Sequence, residues 1–217
     1  MAVYLKKFET QSVYEAAQSG LILPNVSLTV DNNTVHYNPN SPTPPAPPII
    51  DGHEYVDLGL PSGTKWATMN VGASSITDYG NYYQYGKGAD DYSVTSGQSD
   101  YEGEENPLAM SADTAAQVWG GSWHMPTQTQ LNELTANTTS EWTTIDGIDG
   151  RKFTATNGNY VFFPGSGSYY EGSRYSIGEG GSIWSSTPSW ALVFSIGGYS
   201  INDDVLYSGY SVRGVVG

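Results

Sequence analysis

The sequence predicts an α+β fold: two short helices among many short antiparallel strands and long loops, preceded by a small α+β unit at the N-terminus. Three observations predict it. Short runs rich in aromatic and β-branched residues recur along the chain, broken by Gly, Asn and Ser, the pattern of strands joined by turns. Two helix-start signals stand inside that pattern, Asp113 ahead of Ala115 and Ala116, and the capping box Thr127–Gln130. A proline-rich stretch, residues 39–50 (PNSPTPPAPPII), separates a small unit from a large one.

In chain order, residues 2–8 (AVYLKKF) read as a short strand. Ser12 with Glu15 is a capping-box signal, so a short helix through Tyr14, Ala16 and Ala17 is expected to end at Gly20. VSLTV and TVHY flank Asn32 and Asn33, a pair that tolerates the positive φ of a hairpin turn. This first unit, residues 1–38, is too small to bury much core alone. It is expected to pack against a partner chain, a copy of itself or the larger domain. Proline at the density of residues 39–50 favours polyproline II, a semi-rigid spacer of about 3.1 Å per residue. An anchor carrying a displayed head is the organisation this implies.

The head, residues 51–217, opens with a strand at Tyr55–Leu60, a turn at Pro61-Ser62-Gly63 and a second strand at Lys65–Asn70. Tyr82–Tyr85 is an aromatic segment, and residues 87–106, rich in Gly, Asp, Ser and Glu, read as a long loop. Asp113 caps a helix stopped by Gly120-Gly121. The second capping box opens a helix with Leu131 and Leu134 on one face. Strands are expected at Trp142–Ile145, Lys152–Thr156 and Tyr160–Phe163, with Asn157-Gly158 as a hairpin signal. Ile183–Ser186, Ala191–Ile196, Tyr199–Ile201 and Tyr210–Val216 supply the last strands.

Composition narrows function. The 217 residues carry a net charge of −14 and a pI near 4.2. Such a surface repels phosphates, which argues against nucleic acid and anionic membranes as partners. There is no cysteine, so thiol nucleophiles, thiolate metal sites and disulfides are excluded. No apolar run approaches the roughly 20 residues of a membrane helix. The N-terminus MAVYLKKFETQ shows no secretory leader, so synthesis in a cytoplasm is expected.

The C-terminal tail, Gly181–Gly217, mixes Trp184, Trp190, Phe194, Tyr199, Tyr207 and Tyr210 with Ser, Gly, Asn and Asp. Recognition surfaces use this mixture: rigid aromatics for contact area, small polar residues for adaptable hydrogen bonds. The competing reading is an ordinary aromatic-rich β core. Trp184, Trp190, Leu192, Phe194, Val212 and Val215 alternate as core residues would. Gly209 fits a turn, and Arg213 is expected to pair with a buried carboxylate. The outward set is Ser189, Val193, Ser195, Ile196, Tyr199, Ser200, Asn202, Asp203, Asp204, Leu206, Tyr207 and Ser208. A one-residue register shift would exchange Leu192 with Val193 and swap the faces.

Five blocks in the head, HEYVDLGLPSGTKWATMNVGA, DYGNYYQYG, WGGSWHMPT, WSSTPSWAL and YSVRGVV, resemble in order a C-type lectin-like domain common in gut Bacteroidetes and their phages. Members of this class include the variable proteins of diversity-generating retroelements. The resemblance spans nearly all of residues 51–217. It implies a C-type lectin-like fold whose variable segment, about residues 185–210, faces the ligand on a constant main chain. Diversification of that kind alters adenines in asparagine codons and cannot produce Lys, Glu, Gln, Met or Trp. From Ser185 to Gly217 there is no Lys, Glu, Gln or Met, and the only Trp is Trp190 in the WAL framework.

The N-terminal part looks like the start of phage tail-associated proteins. The implied role is a non-enzymatic receptor-binding protein of a phage tail. Residues 1–38 would attach it to a virion or tail assembly, and the tail surface would bind a bacterial cell-surface protein or glycan. A homotrimer is the oligomer that likeness to fibres leaves open, and the virion the implied location. The alternative is a bacterial surface adhesin or lectin with a fixed ligand; a carbohydrate-active enzyme is the third reading.

Sharper chemistry finds little support. Asp203 and Asp204 are neighbours in an expected strand and would point to opposite faces, so they would not flank one glycosidic bond. The calcium-lectin tripeptides Glu-Pro-Asn, Gln-Pro-Asp and Trp-Asn-Asp do not occur, although oxygen ligands in the 87–106 loop leave calcium open. His36, His53 and His124 form no metal motif, and His124 reads as a packed or hydrogen-bonded residue. Gly165-Ser166-Gly167 lacks the spacing of a nucleophile elbow. No catalytic residue, cofactor or metal is expected.

Overall fold

The computed structural model describes residues 27–31, 34–38, 46–89, 91 and 106–217, the first two stretches by their main chain. The expected strand at 2–8, the helix after Ser12, residues 39–45 and most of the 87–106 loop lie outside the described residues. The chain divides into two units, Met1–Ala46 and Pro47–Gly217.

In the first unit, β1 (Ser27–Asp31) and β2 (Thr34–Asn38) pair antiparallel, from Ser27 opposite Asn38 to Asp31 opposite Thr34. Only Asn32 and Asn33 lie between the paired ends, as the hairpin reading requires.

The second unit is built from antiparallel sheets with two helices, an α+β arrangement. One sheet has the order β14-β5-β4-β3, from β3 (Ile49–Ile50), β4 (His53–Asp57), β5 (Lys65–Asn70) and β14 (Arg213–Val216). The second is the meander β6 (Thr138–Ile145), β7 (Ile148–Ala155) and β8 (Tyr160–Pro164). The third is β11 (Gly180–Trp184), β12 (Trp190–Ser195) and β13 (Gly198–Asp203). A two-stranded ribbon, β9 (Ser168–Tyr170) with β10 (Ser173–Tyr175), completes the set.

Composition placed Ile49 and Ile50 in the linker. Instead they pair with Glu54 and His53, and the Trp123 indole donates to the Ile50 carbonyl at 2.9 Å. The fixed φ of proline ends at Pro48, after which two β-branched residues are free to enter a sheet. The first long strand stops at Asp57 rather than Leu60. Leu58 and Leu60 are buried in the core without strand pairing.

Both helix signals hold. Helix α1 (Thr114–Trp119) is capped by Asp113, which accepts from Ala116 N at 2.9 Å and from Met125 N. Gly120 ends it at φ +68°. Helix α2 (Gln128–Ala136) has both halves of its capping box, Gln130 N to Thr127 Oγ1 at 3.2 Å and Thr127 N to Gln130 Oε1 at 2.9 Å. Leu131 and Leu134 are buried.

The meander has two hairpin turns, the expected one at Asn157-Gly158 and a tighter one that was not expected. Ile145 opposes Ile148 across Asp146 (φ +47°) and Gly147 (φ +81°), the backbone of a two-residue type I′ turn. Asn157-Gly158 lies in the longer loop of the β7–β8 hairpin, closed by Ala155 N to Asn159 O at 2.8 Å.

Two apolar clusters form the core, and the β11–β12–β13 sheet contributes to both. Ile183, Leu192 and Phe194 join Trp66, Phe153 and Phe163 in one; Trp184 and Ala191 join Tyr83, Tyr85, Met125 and Val212 in the other. Successive residues of a strand point to opposite faces, so this sheet is buried on both sides at its centre.

Three framework expectations are corrected. Trp190 is half-buried rather than core, because it lies at the open end of β12. Gly209 is not in the turn: it bridges Tyr169, and the turn is closed by Ser208 N to Val205 O at 3.2 Å. Arg213 is fully buried, and among the described residues no carboxylate pairs with it. Its guanidinium donates to Asn70 Oδ1 (3.0 Å), Ala67 O (2.9 Å) and Phe162 O (2.8 Å), over the Phe163 ring. Burial pulls it down to about 9, still charged at neutral pH.

Candidate functional site

The candidate site is built on the β12–β13 hairpin and the turn after it. Pairing is in register from Trp190 opposite Asp203 to Ser195 opposite Gly198. Leu192 is buried and Val193 half-buried, so the register places Leu192 inward. None of the twelve outward residues is buried. Ile196, at the hairpin turn, is 74% exposed.

The hairpin does not bring all twelve together. Directly opposed residues share a face. Val193 opposes Ser200, Ser195 opposes Gly198, and Asn202 opposes Ala191, so Val193, Ser195, Ser200 and Asn202 lie on one face. Tyr199 opposes Phe194, and Asp203 opposes Trp190, which puts both on the other face. The Tyr199 ring meets Phe153 edge-on at 5.2 Å and lies 5.7 Å from the Arg151 guanidinium. Tyr199 is therefore half framework, a role that its alternation with Ser200 could have signalled.

Ser189 and Asp204 close the open end of the hairpin, with Asp204 N donating to Ser189 O at 2.7 Å. Leu206, Tyr207 and Ser208 are half-buried in the following turn, where the Tyr207 ring lies 5.6 Å from that of Tyr170.

On the Val193 face a cleft of about 350 Å³ opens. Val193, Ser195 and Asp204 form one wall. Ser182 lies beside Val193 on the neighbouring strand β11, and Gly167, Ser168, Ser176, Glu179 and Tyr210 complete the lining. The Tyr210 hydroxyl donates to Asp204 Oδ2 at 2.7 Å, and its ring lies 4.5 Å from Trp184. Desolvation, reinforced by the Asp204 carboxylate, drives the Tyr210 hydroxyl well above the ordinary tyrosine range. It therefore stays a donor at any physiological pH and fixes one edge of the carboxylate. The opposite wall belongs to the β9–β10 ribbon and the turn after it, which sequence reading missed. The signal was present: residues 165–182, GSGSYYEGSRYSIGEGGS, have the composition of the tail itself.

The Asp203 side chain is exposed and that of Asp204 is held by Tyr210, so they do not face one bond. The Ser166 hydroxyl is buried against Ser211 Oγ at 2.9 Å. His53 stacks on Trp119 at 4.2 Å, and burial lowers its pKa. His124 Nδ1 lies 2.9 Å from the Met125 carbonyl. The side chain of His36 lies outside the described residues. Among the described residues no cluster of His, Asp and Glu is arranged to hold a metal ion, and no helix is long and apolar enough to cross a membrane. No family model, curated protein or solved structure matches the chain.

Proposed function

We propose that residues 47–217 form a C-type lectin-like ligand-binding domain whose 189–208 segment is a recognition surface. On this reading the protein is a non-enzymatic, phage tail-associated receptor-binding protein. Residues 1–38 attach it to the virion, and the segment engages a bacterial cell-surface molecule. The observation that carries the reading is the alternation within the hairpin. Leu192 and Phe194 are buried, while Val193, Ser195, Ser200 and Asn202 are not and share one face at or beside the cleft. Side chains so placed can change identity with little effect on the core.

The cleft supports a ligand chemistry as well. Its lining offers the Glu179 and Asp204 carboxylates and the hydroxyls of Ser168, Ser176, Ser182 and Ser195, with no Lys, Arg or His among the lining residues. Carboxylates favour partners that donate hydrogen bonds or carry positive charge. The group seated there is neutral or cationic, and anionic sugars and phosphates are rejected.

One observation favours the second reading, an adhesin with a fixed ligand. The wall from Gly167 to Ser182 lies outside the variable segment and contributes constant contacts. A single experiment separates the two. Fluorescent protein is assayed for binding to a panel of gut bacterial strains. The assay is repeated with Val193, Ser195, Ser200, Asn202, Leu206 and Tyr207 replaced together by residues of similar size. The first reading expects a changed strain preference with the melting temperature held within about 4 °C. Unchanged preference favours the adhesin, and loss of folding rejects both.

A further inference from the structure

The tail is held in place by side chains that lie far away in sequence, and the atoms they grip are informative. The Gln84 side chain donates from Nε2 to the Tyr207 carbonyl at 2.7 Å. The Tyr85 main-chain N–H donates to the neighbouring carbonyl, Leu206 O, at 3.1 Å. Two consecutive carbonyls of the turn after β13 are thus fixed from one short segment, itself buried: Gln84 is 4% exposed. At the other end of the hairpin, a terminal guanidinium nitrogen of Arg151 donates to the Ser195 carbonyl at 2.7 Å. Its second terminal nitrogen donates to Ser140 Oγ at 3.0 Å, which fixes the guanidinium from below.

Gln84 and Arg151 both end on main-chain oxygen. Every residue type has that oxygen, so neither bond depends on which side chain stands at 195 or 207. A bond to a tail side chain would break whenever that residue changed. Among the described residues no strand pairs with the turn at Val205–Ser208, so donors from outside hold it. The Gln84 amide is buried, so leaving it unpaired in the interior would cost free energy.

We infer that Gln84 and Arg151 are positioning residues for the recognition segment, holding its main chain in one shape whatever side chains it displays. Their importance for recognition rests on the function proposed above; their action on the main chain does not. Gln84 sets the 205–208 turn, and Arg151 sets the 195–198 turn.

The test is amide hydrogen exchange, which needs no ligand. Gln84→Ala is made in the parent protein and in the six-residue replacement described above. The Tyr85 and Ser208 amides, which bond to Leu206 O and Val205 O, should exchange roughly tenfold faster, as loss of one buried hydrogen bond implies. The increase should be the same in both backgrounds, with amides of β6–β8 unchanged. Gln84→Glu, which keeps the volume but lacks the donor at neutral pH, serves where Gln84→Ala does not fold. For Arg151, Arg151→Met should speed exchange at the Gly197 and Gly198 amides, and Arg151→Lys, which restores a donor, should reverse most of it. An effect that tracks the identity of the displayed side chains would overturn the inference. So would unchanged exchange at Tyr85 and Ser208, or equal behaviour of Arg151→Lys and Arg151→Met. Cell-binding data do not enter these outcomes, so failure of the proposed function and failure of this inference are distinguishable.

Discussion

Strand β13 and the last segment, Tyr210–Val216, belong to the same tail, and both mix Gly, Ser, Tyr and β-branched residues with a single charge. They end up in opposite environments. From Tyr210 to Val215 each residue is buried, whereas along β13 none is. The difference comes from neighbours. Strand β14 pairs with β5, bridges His124, and is crossed from behind by Phe162 and Phe163 through Arg213. Among the described residues strand β13 is an edge strand, paired with β12 alone. On this edge strand Ser200 and Asn202 are exposed, whereas Tyr199 and Ile201 on its other face pack on Phe153 and the core.

Four measurements can break or sharpen this contrast. The largest effect is expected at Arg213. Arg213→Leu strands Asn70 Oδ1 and the carbonyls of Ala67 and Phe162 in the interior. A loss of about 3–5 kcal/mol is expected in urea unfolding. A loss below about 1 kcal/mol would put β14 in the same class as the hairpin.

Alkaline pH comes next. Burial raises Tyr83 to about 12 and also raises Tyr210, and the two residues bridge each other through their main chains. Both folded values exceed the unfolded one. Their contribution is therefore complete below about pH 10 and lost as pH rises above it, by about 1.4 kcal/mol per pH unit for each tyrosine. The slope should be shallower in Tyr83→Phe and Tyr210→Phe than in the parent.

A third, smaller loss is expected at Gly180, on β11 beneath the hairpin. A methyl group there would stand 2.6 Å from the Phe194 carbonyl. Gly180→Ala should cost about 1–3 kcal/mol by chemical denaturation. The smallest effects belong to the display face. Ser200→Ala and Asn202→Ala should each stay within about 0.5 kcal/mol of the parent. A larger cost at either would mean that this face is structural, and the recognition reading would fall with it.

Legibility from sequence followed the range of the interactions. Both helices were legible because a cap and its partner lie three residues apart, as in Asp113 with Ala116 and Thr127 with Gln130. The β1–β2 hairpin was legible for the same reason. Asp146-Gly147 was an equally local signal, overlooked beside Asn157-Gly158, whose connection turned out longer. Arg213 was not legible. A buried cation invites a carboxylate partner, but its partners come from residues 67, 70 and 162, which no local pattern connects. Trp190 misled because indole size suggests burial, and a position at the open end of a strand overrides it. The twelve outward residues were readable as polar or alternating positions. Their division between two faces was not, since that depends on pairing with β12.

By itself, the sequence determined the local events: where helices start and stop, which segments alternate, and that thiol chemistry is absent. These depend on contacts within a few residues, and the chain order encodes them directly. Tertiary structure alone decided which strand of the tail is an edge, that residues 167–182 wall the cleft, and that Gln84 and Arg151 reach the tail's carbonyls. Those contacts join residues from about 40 to more than 120 positions apart, and their partners are main-chain atoms that every residue shares. A bond to such an atom leaves no mark in the identity of the residue that accepts it.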